Sequence, residues 1–225
     1  MKTQRLNDVK YLFDHLDEKE RETCLRTCRR RDFSKGEILV SQGDSCQALL
    51  IVGSGEVARQ RYTSGGAFTT LDVCERGCVV GAEILLQEQN HFSYEIEALS
   101  SGSLLSLSKE SFLTLTEHYP QLQEKLQKVL ADYIQQQDTR IELLSQRSIR
   151  QKIAFYLISQ SDGDPTHYEC RMPGSKEVSA RYFALPRQSL SRELLTMEKE
   201  NLISVNARNV TILDYEALVR IVDET

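Results

Sequence analysis

The sequence predicts an α+β chain in three consecutive parts: a β-roll, a long helix, and a C-terminal unit of short helices closed by a β-hairpin. Three observations predict it. Short β-type runs recur between glycines through about the first 110 residues, an apolar 4-3 helical step follows, and two short helices meet at a turn within residues 175–203. The expected boundaries are 1–116, 117–146 and 147–225.

Residues 17–28, DEKERETCLRTC, read as a short amphipathic helix. Gly36, Gly43, Gly53, Gly55, Gly65, Gly66, Gly77 and Gly81 then mark turns. Between them and beyond lie β-type runs at 38–40, 49–52, 57–62, 68–73, 94–99 and 104–107, the regular spacing of a barrel or roll. From Lys109 a helical pattern continues with few interruptions past Tyr119 and Pro120 to about Ser145. Leu130, Ile134, Gln137, Ile141 and Leu144 advance by 4, 3, 4 and 3 residues, which is the step of a coiled-coil seam, with Gln137 as a polar residue fixing register. Leu122, Leu126, Val129 and Tyr133 form a neighbouring stripe, so one face is expected to pack on the β domain and the other on a second copy of the chain. Ile149, Ile153, Leu157 and Ile158 form a further helix, which the turn-rich residues 161–165 break.

In the helical pair, Val178, Tyr182 and Phe183 share one apolar face, behind the N-cap type residue Ser175. Pro186 disfavours helical geometry at Leu185 and suits the first position of the next helix. That helix buries Leu190, Leu194 and Met197, with Leu195 as a further candidate, and turns Arg187, Gln188, Ser189, Ser191 and Arg192 outward near its N-terminus. Arginine spans guanine O6 and N7, glutamine spans adenine N6 and N7, and serine hydroxyls suit phosphates or bases. This is the chemistry of a helix that enters the major groove. Residues 202–205 and 210–213 are β-type runs joined by Asn206, Ala207, Arg208 and Asn209, which reads as a wing with Arg208 at its tip. Residues 171–192 hold five Arg or Lys against one acid, Glu177. Ser175, Lys176 and Arg208 therefore join the expected DNA-binding set.

The net charge of −5 argues against indiscriminate coating of nucleic acid, so DNA contact must be a focused patch. No run approaches the roughly 20 apolar residues of a membrane span, and residues 1–10 lack the apolar core of a signal peptide. A cytoplasmic location without membrane contact is expected. Six cysteines then read as reduced thiols. Cys24 with Cys28, and Cys74 with Cys78, could each share a metal or disulfide, but neither pair is a C-x-x-C site. No metal or other cofactor is assigned, and a thiol or metal redox sensor built on these four cysteines stands as the alternative function. The four histidines, His15, His91, His118 and His167, fall in separate segments, and no nucleophile-elbow, phosphate-loop or metalloprotease motif is present, so an enzyme is not expected.

The pattern F-x-K-G-E-x-L-x-x-x-G-D at residues 33–44, the segment Ser54, Gly55, Glu56, Val57, and R-Q-S-L-S-R-E-L at 187–194 carry a resemblance. Over nearly its whole length the chain resembles the cyclic-AMP receptor protein/FNR superfamily of bacterial transcription regulators. The resemblance implies an N-terminal cyclic-nucleotide-binding-like β-roll, a long dimerisation helix and a C-terminal winged helix-turn-helix. It assigns base reading to Arg187, Gln188 and Arg192 and a DNA contact to Ser191. It also implies a homodimer on a pseudo-palindromic double-stranded operator, with contact to RNA polymerase and a small-molecule effector among its partners.

Cyclic-nucleotide-binding members carry a Gly-Glu pair for ribose and an Arg-Ser or Arg-Thr pair for the cyclic phosphate. An ungapped match keeps Gly81 and Ser93 but puts Ala82 at the acid and Phe92 at the arginine, and nothing nearby replaces the arginine; Glu83 could serve the ribose by a one-residue slip. A buried phosphate without a guanidinium partner would cost several kcal/mol, so cyclic AMP is not the expected effector. The expected pocket comprises Gly81, Glu83, Leu85, Phe92, Ser93 and Tyr94, and either takes a small apolar or aromatic effector or binds nothing. FNR-like members hold an iron-sulfur centre on cysteines near the N-terminus, and the cysteines here are placed differently. Haem ligation by Cys74, Cys78 or His91 is a further option.

Overall fold

The computed structural model describes residues 12–13, 16–62, 68–161 and 169–224. Expectations at residues 1–10, at His15, at Gly65 and Gly66, at the turn 162–165 and at His167 lie outside the described residues. The fold is α+β, in two units that divide between Ile134 and Gln135, inside the long helix.

In the first unit, helix α1 (Glu18–Thr27) starts at a capping box: the Asp17 carboxylate accepts from the Glu20 N–H at 2.8 Å, and the Glu20 carboxylate accepts from the Asp17 N–H at 3.0 Å. Two four-stranded antiparallel sheets follow. One runs β1 (Arg29–Phe33), β8 (Gly102–Ser108), β3 (Ala48–Ser54), β6 (Val79–Val80); the other runs β2 (Ile38–Val40), β7 (Glu95–Ala98), β4 (Val57–Tyr62), β5 (Phe68–Cys74). Leu49, Ile51, Val52, Val57, Ile96 and Leu107 from these strands are buried in one core. All six β-type runs lie on strands, and two further strands had no periodic signal to find. In β1 four of five residues, three of them arginines, are exposed at a sheet edge, and β6 is two residues long. Gly55 holds φ 83°, and a Cβ there would sit 2.7 Å from the Ser101 carbonyl oxygen, so geometry and space both require glycine. A short helix, α2 (Ala82–Leu85), follows Gly81 at φ 87°.

Helix α3 (Lys109–His118) is capped by Ser108, whose hydroxyl accepts from the Ser111 N–H at 3.1 Å. It ends at Tyr119, with φ −129° and ψ 80°, and α4 (Gln121–Ser145) begins after Pro120. The expected continuous run is therefore two helices, because the residue before proline is driven out of helical geometry. Leu122, Leu126 and Val129 are buried in the β-roll core, and Leu130 packs against it.

The second unit holds the last residues of α4, then α5 (Ile149–Gln160), β9 (Glu169–Arg171), α6 (Lys176–Tyr182), α7 (Arg187–Lys199), β10 (Ile203–Asn206), β11 (Asn209–Ile212) and α8 (Tyr215–Asp223). The hairpin β10–β11 pairs Val205 with Val210, and β11 in turn pairs Val210 with Cys170 of β9. The wing is thus a three-stranded sheet, its third strand too short to read from periodicity. Leu143, Ile153, Leu157, Phe183, Leu190, Met197, Ile203 and Leu218 form the core. Tyr156, Tyr182 and Phe183 meet edge to face, with centroids 5.2 to 5.8 Å apart.

Candidate nucleic-acid interface and β-roll site

The Ser175 hydroxyl caps α6 by accepting from the Val178 N–H at 3.3 Å. The turn to α7 passes through Ala184 at φ 53°, and the Leu185 N–H closes it on the Ala180 carbonyl at 2.9 Å. Pro186 is the N-cap of α7 rather than its first helical residue, with φ −62° and ψ 136°. It supplies no side-chain acceptor, and the first turn carries no acid. The positive end of the helix dipole is therefore left for an external anion. Leu190, Leu194 and Met197 are buried, whereas Leu195 is 55% exposed and leaves the expected stripe, because one residue past Leu194 is a rotation of about 100°. Arg187, Gln188 and Arg192 are exposed, and Ser189 and Ser191 are half-buried. Pro186, Arg187, Gln188, Ser191, Arg192 and Leu195 line an open depression of about 730 Å³.

Three acids of α6, α7 and the C-cap of α7 are paired with arginines. Arg150 of α5 donates to Glu193 at 2.6 Å and to both carboxylate oxygens of Glu200 at 2.9 and 3.0 Å, while Glu177 accepts from Arg181 at 2.6 Å. Lys176 is exposed beside Ser175. Arg208 is half-buried, and its Nε and Nη2 both point to the Met172 carbonyl at 3.4 Å, so the wing's arginine is folded back on its own unit.

In the β-roll, Gly81 sits where a Cβ would meet Cys46 Sγ at 3.1 Å and Phe92 Cζ at 3.5 Å. Leu85, Phe92 and Tyr94 are core residues, 0 to 4% exposed, and Phe92 and Tyr94 stack edge to face at 5.6 Å. The charged centre is one the sequence reading missed. Arg59 of β4 is buried, and its Nε donates to Asp72 Oδ1 at 2.7 Å and its Nη1 to Glu83 Oε1 at 3.1 Å, while its Nη2 donates to Asp72 Oδ2. The Tyr94 hydroxyl donates to Glu83 Oε1 at 2.6 Å. The guanidinium carbon lies 5.2 Å from the Tyr94 ring centre and 4.7 Å from that of Tyr133 on α4. Burial works against the Arg59 charge, but Asp72 outweighs it and holds the pKa above the ordinary arginine value. Burial pushes the Tyr94 and Tyr133 hydroxyls up, so both stay protonated. Arg61 donates to the Ser93 carbonyl at 3.1 Å and to its hydroxyl at 3.0 Å. The expectation that no arginine lies near the absent one is thus corrected: Arg59 and Arg61 approach from β4, far away in sequence. The pairing of Arg59 directly opposite Asp72 on β5 was the available signal.

Residues 30–119 match the family described as cyclic nucleotide-binding domain, and residues 151–221 match the Crp-like helix-turn-helix domain. The cyclic AMP receptor protein of Thermus thermophilus is 31% identical over 147 residues, 65% of this chain and 68% of that protein. The chain belongs to the Crp/FNR family of transcription regulators. The fumarate and nitrate reduction regulatory protein of Vibrio cholerae is 23% identical, over 86% of this chain and 78% of its own. Among solved structures, a CooA mutant from Carboxydothermus hydrogenoformans shares the fold at TM-score 0.80 and 21% identity, covering 95% of this chain and 96% of its own. The Thermus thermophilus catabolite activator protein aligns at TM-score 0.54 and 26% identity, over 94% and 98%.

For this Crp/FNR chain the cysteines form no metal cluster: among the described residues no three His, Cys, Asp or Glu side chains converge to hold an ion. His91 is exposed, with Nδ1 3.2 Å from the Gly43 carbonyl. Burial raises the Cys24 and Cys46 thiols and, with Cys24 adding to it, pushes Cys28 up to about 11; a hydrogen bond with Cys78 and then burial raise Cys74. Redox-active cysteines favour the thiolate, and these surroundings favour the thiol. No helix among the described residues is long and apolar enough to cross a membrane.

Proposed function

We propose that this Crp/FNR regulator acts in the cytoplasm as a homodimer that reads a pseudo-palindromic operator with two copies of α7. The observation that carries this reading is the outward face of α7: Arg187, Gln188 and Arg192 are exposed, and among the described residues none of the three has a side-chain partner. Ser189, Ser191, Ser175 and Lys176 serve the flanking phosphates, and the uncapped helix end adds to their pull. Arg208 reaches a phosphate only by leaving the Met172 carbonyl. The dimer seam is Ile134, Gln137, Ile141 and Leu144; Leu130, expected at its start, packs instead against the β-roll core. In the single chain Ile134 and Ile141 are 62% and 67% exposed and Leu144 is 38% exposed, which is an unusual cost for a solitary helix and an ordinary one for a coiled-coil seam.

The β-roll is the control module, and cyclic AMP is not its effector: Arg59 is already bound to two carboxylates, and Arg61 is held by Ser93. Contact with RNA polymerase belongs to the same reading. The test is a comparison of Arg192→Ala with the parent on the preferred duplex and on random DNA. We expect a loss of about 1 to 3 kcal/mol on the preferred site with specificity relaxed at one base. Equal loss on both DNAs would refute base reading by Arg192.

A further inference from the structure

We propose that the β-roll encloses a guanidinium site that the chain fills with its own Arg59. The elements of such a site are all present. Asp72 takes two donors from Arg59 and Glu83 a third, Tyr94 fixes Glu83 by its hydroxyl at 2.6 Å, and the aromatic rings of Tyr94 and Tyr133 lie 5.2 and 4.7 Å from the guanidinium carbon. Carboxylates that match a planar fork, together with aromatic rings, are the chemistry that recognises an amidinium or guanidinium cation. Arg59, Asp72 and Glu83 together carry one net negative charge, and without Arg59 two, so the place that Arg59 fills favours a cation. A cyclic phosphate entering here would have to take Arg59 from both acids and leave two half-buried carboxylates uncompensated.

The site also fastens the long helix. Tyr133 is on α4, whereas Arg59, Asp72 and Tyr94 are on β4, β5 and the approach to β7, and Glu83 is on α2. The cation therefore joins the long helix to both the sheet and the short helix of the β-roll. Because Arg59 is covalently part of the chain, the join is made without any diffusible effector. Its consequence for DNA binding rests on the regulator reading given above; the occupancy of the site does not.

The experiment uses the full-length protein and reads thermal unfolding without DNA. Arg59→Ala should lower Tm by several degrees, and guanidinium chloride at low millimolar concentration should restore part of that loss saturably, since a ligand that binds only the folded state raises Tm by mass action. Sodium chloride and urea at the same concentrations should not. The parent protein, and Arg59→Ala combined with Asp72→Asn and Glu83→Gln, should show no saturable rise. Restoration that equals the sodium chloride control, or that survives the loss of both acids, would overturn the proposal. A second measurement does not depend on the variant folding: cyclic AMP added to the parent should leave Tm unchanged, and a saturable rise would show that the site admits an anion. Operator affinity is then read separately. If guanidinium rescues Tm of Arg59→Ala but no DNA binding is seen in any form, the site stands and the regulator reading falls.

Discussion

Arg192 lies on α7 and Arg150 on α5 beside it, yet the first is exposed with no side-chain partner among the described residues and the second bonds Glu193 and Glu200. Their substitutions should therefore separate binding from stability. Arg150→Ala removes a partly screened pair of contacts, so chemical denaturation should register a loss of roughly 1 kcal/mol, while the ratio of specific to random DNA binding stays unchanged. Leu190→Ala, at 0% exposure, opens a cavity in the core and should cost about 2 to 5 kcal/mol in the same assay. The thiols give a pH test. Cys28 is pushed up to about 11 by burial and then by Cys24, from an ordinary value of 9.0. A group raised in this way contributes stability that is complete below pH 9 and lost as pH rises toward 11. Alkylation by iodoacetamide near neutral pH, followed by mass spectrometry, should then find Cys28 far slower in the native than in the urea-unfolded chain; equal rates would restore the thiol-sensor alternative.

Helix α4 draws different partners along its length. Leu122, Leu126 and Val129 enter the β-roll core and Tyr133 covers Arg59, while Leu143 enters the second core and Arg140 lies 3.9 Å from the Tyr182 ring centre. Ile134 and Ile141 are left outside both. Changing both to glutamate should convert the protein to a monomer by sedimentation while each unit keeps its fold by circular dichroism, and should abolish tight operator binding, since two half-sites then lose their linkage. At this scale the sequence was most legible where a period had room to repeat. The long helix and the strands β3, β4, β5, β7 and β8 carry such patterns, and the paired helices show them in Val178, Leu190, Leu194 and Met197. It was illegible where structure depends on what lies across a sheet. β1 reads as a charged run because it is an exposed edge, and β9 and β6 are too short for any period. The Arg59 cluster shows the same limit, since Arg59, Asp72, Glu83, Tyr94 and Tyr133 lie far apart in sequence and only strand register and helix packing bring them together.

Across the whole molecule, a negatively charged protein exposes Arg187, Gln188 and Arg192 at the start of α7, and its β-roll carries a buried arginine, Arg59, that its own Asp72 and Glu83 satisfy. The two features make a joint prediction: the protein selects its operator without added nucleotide, and cyclic AMP leaves the affinity unchanged. The parts that remained hidden in the sequence are those set by geometry over distance, namely the retraction of Arg208 onto Met172 and the pairing of Arg150 with Glu193 and Glu200. The most direct measurement is selection from random DNA duplexes by the purified full-length protein, with and without cyclic AMP. The expected result is one enriched pseudo-palindrome whose half-sites lie about one helical turn, roughly 34 Å, or a multiple of it apart, the same in both preparations. An asymmetric single site, or no enrichment in either preparation, would contradict the account.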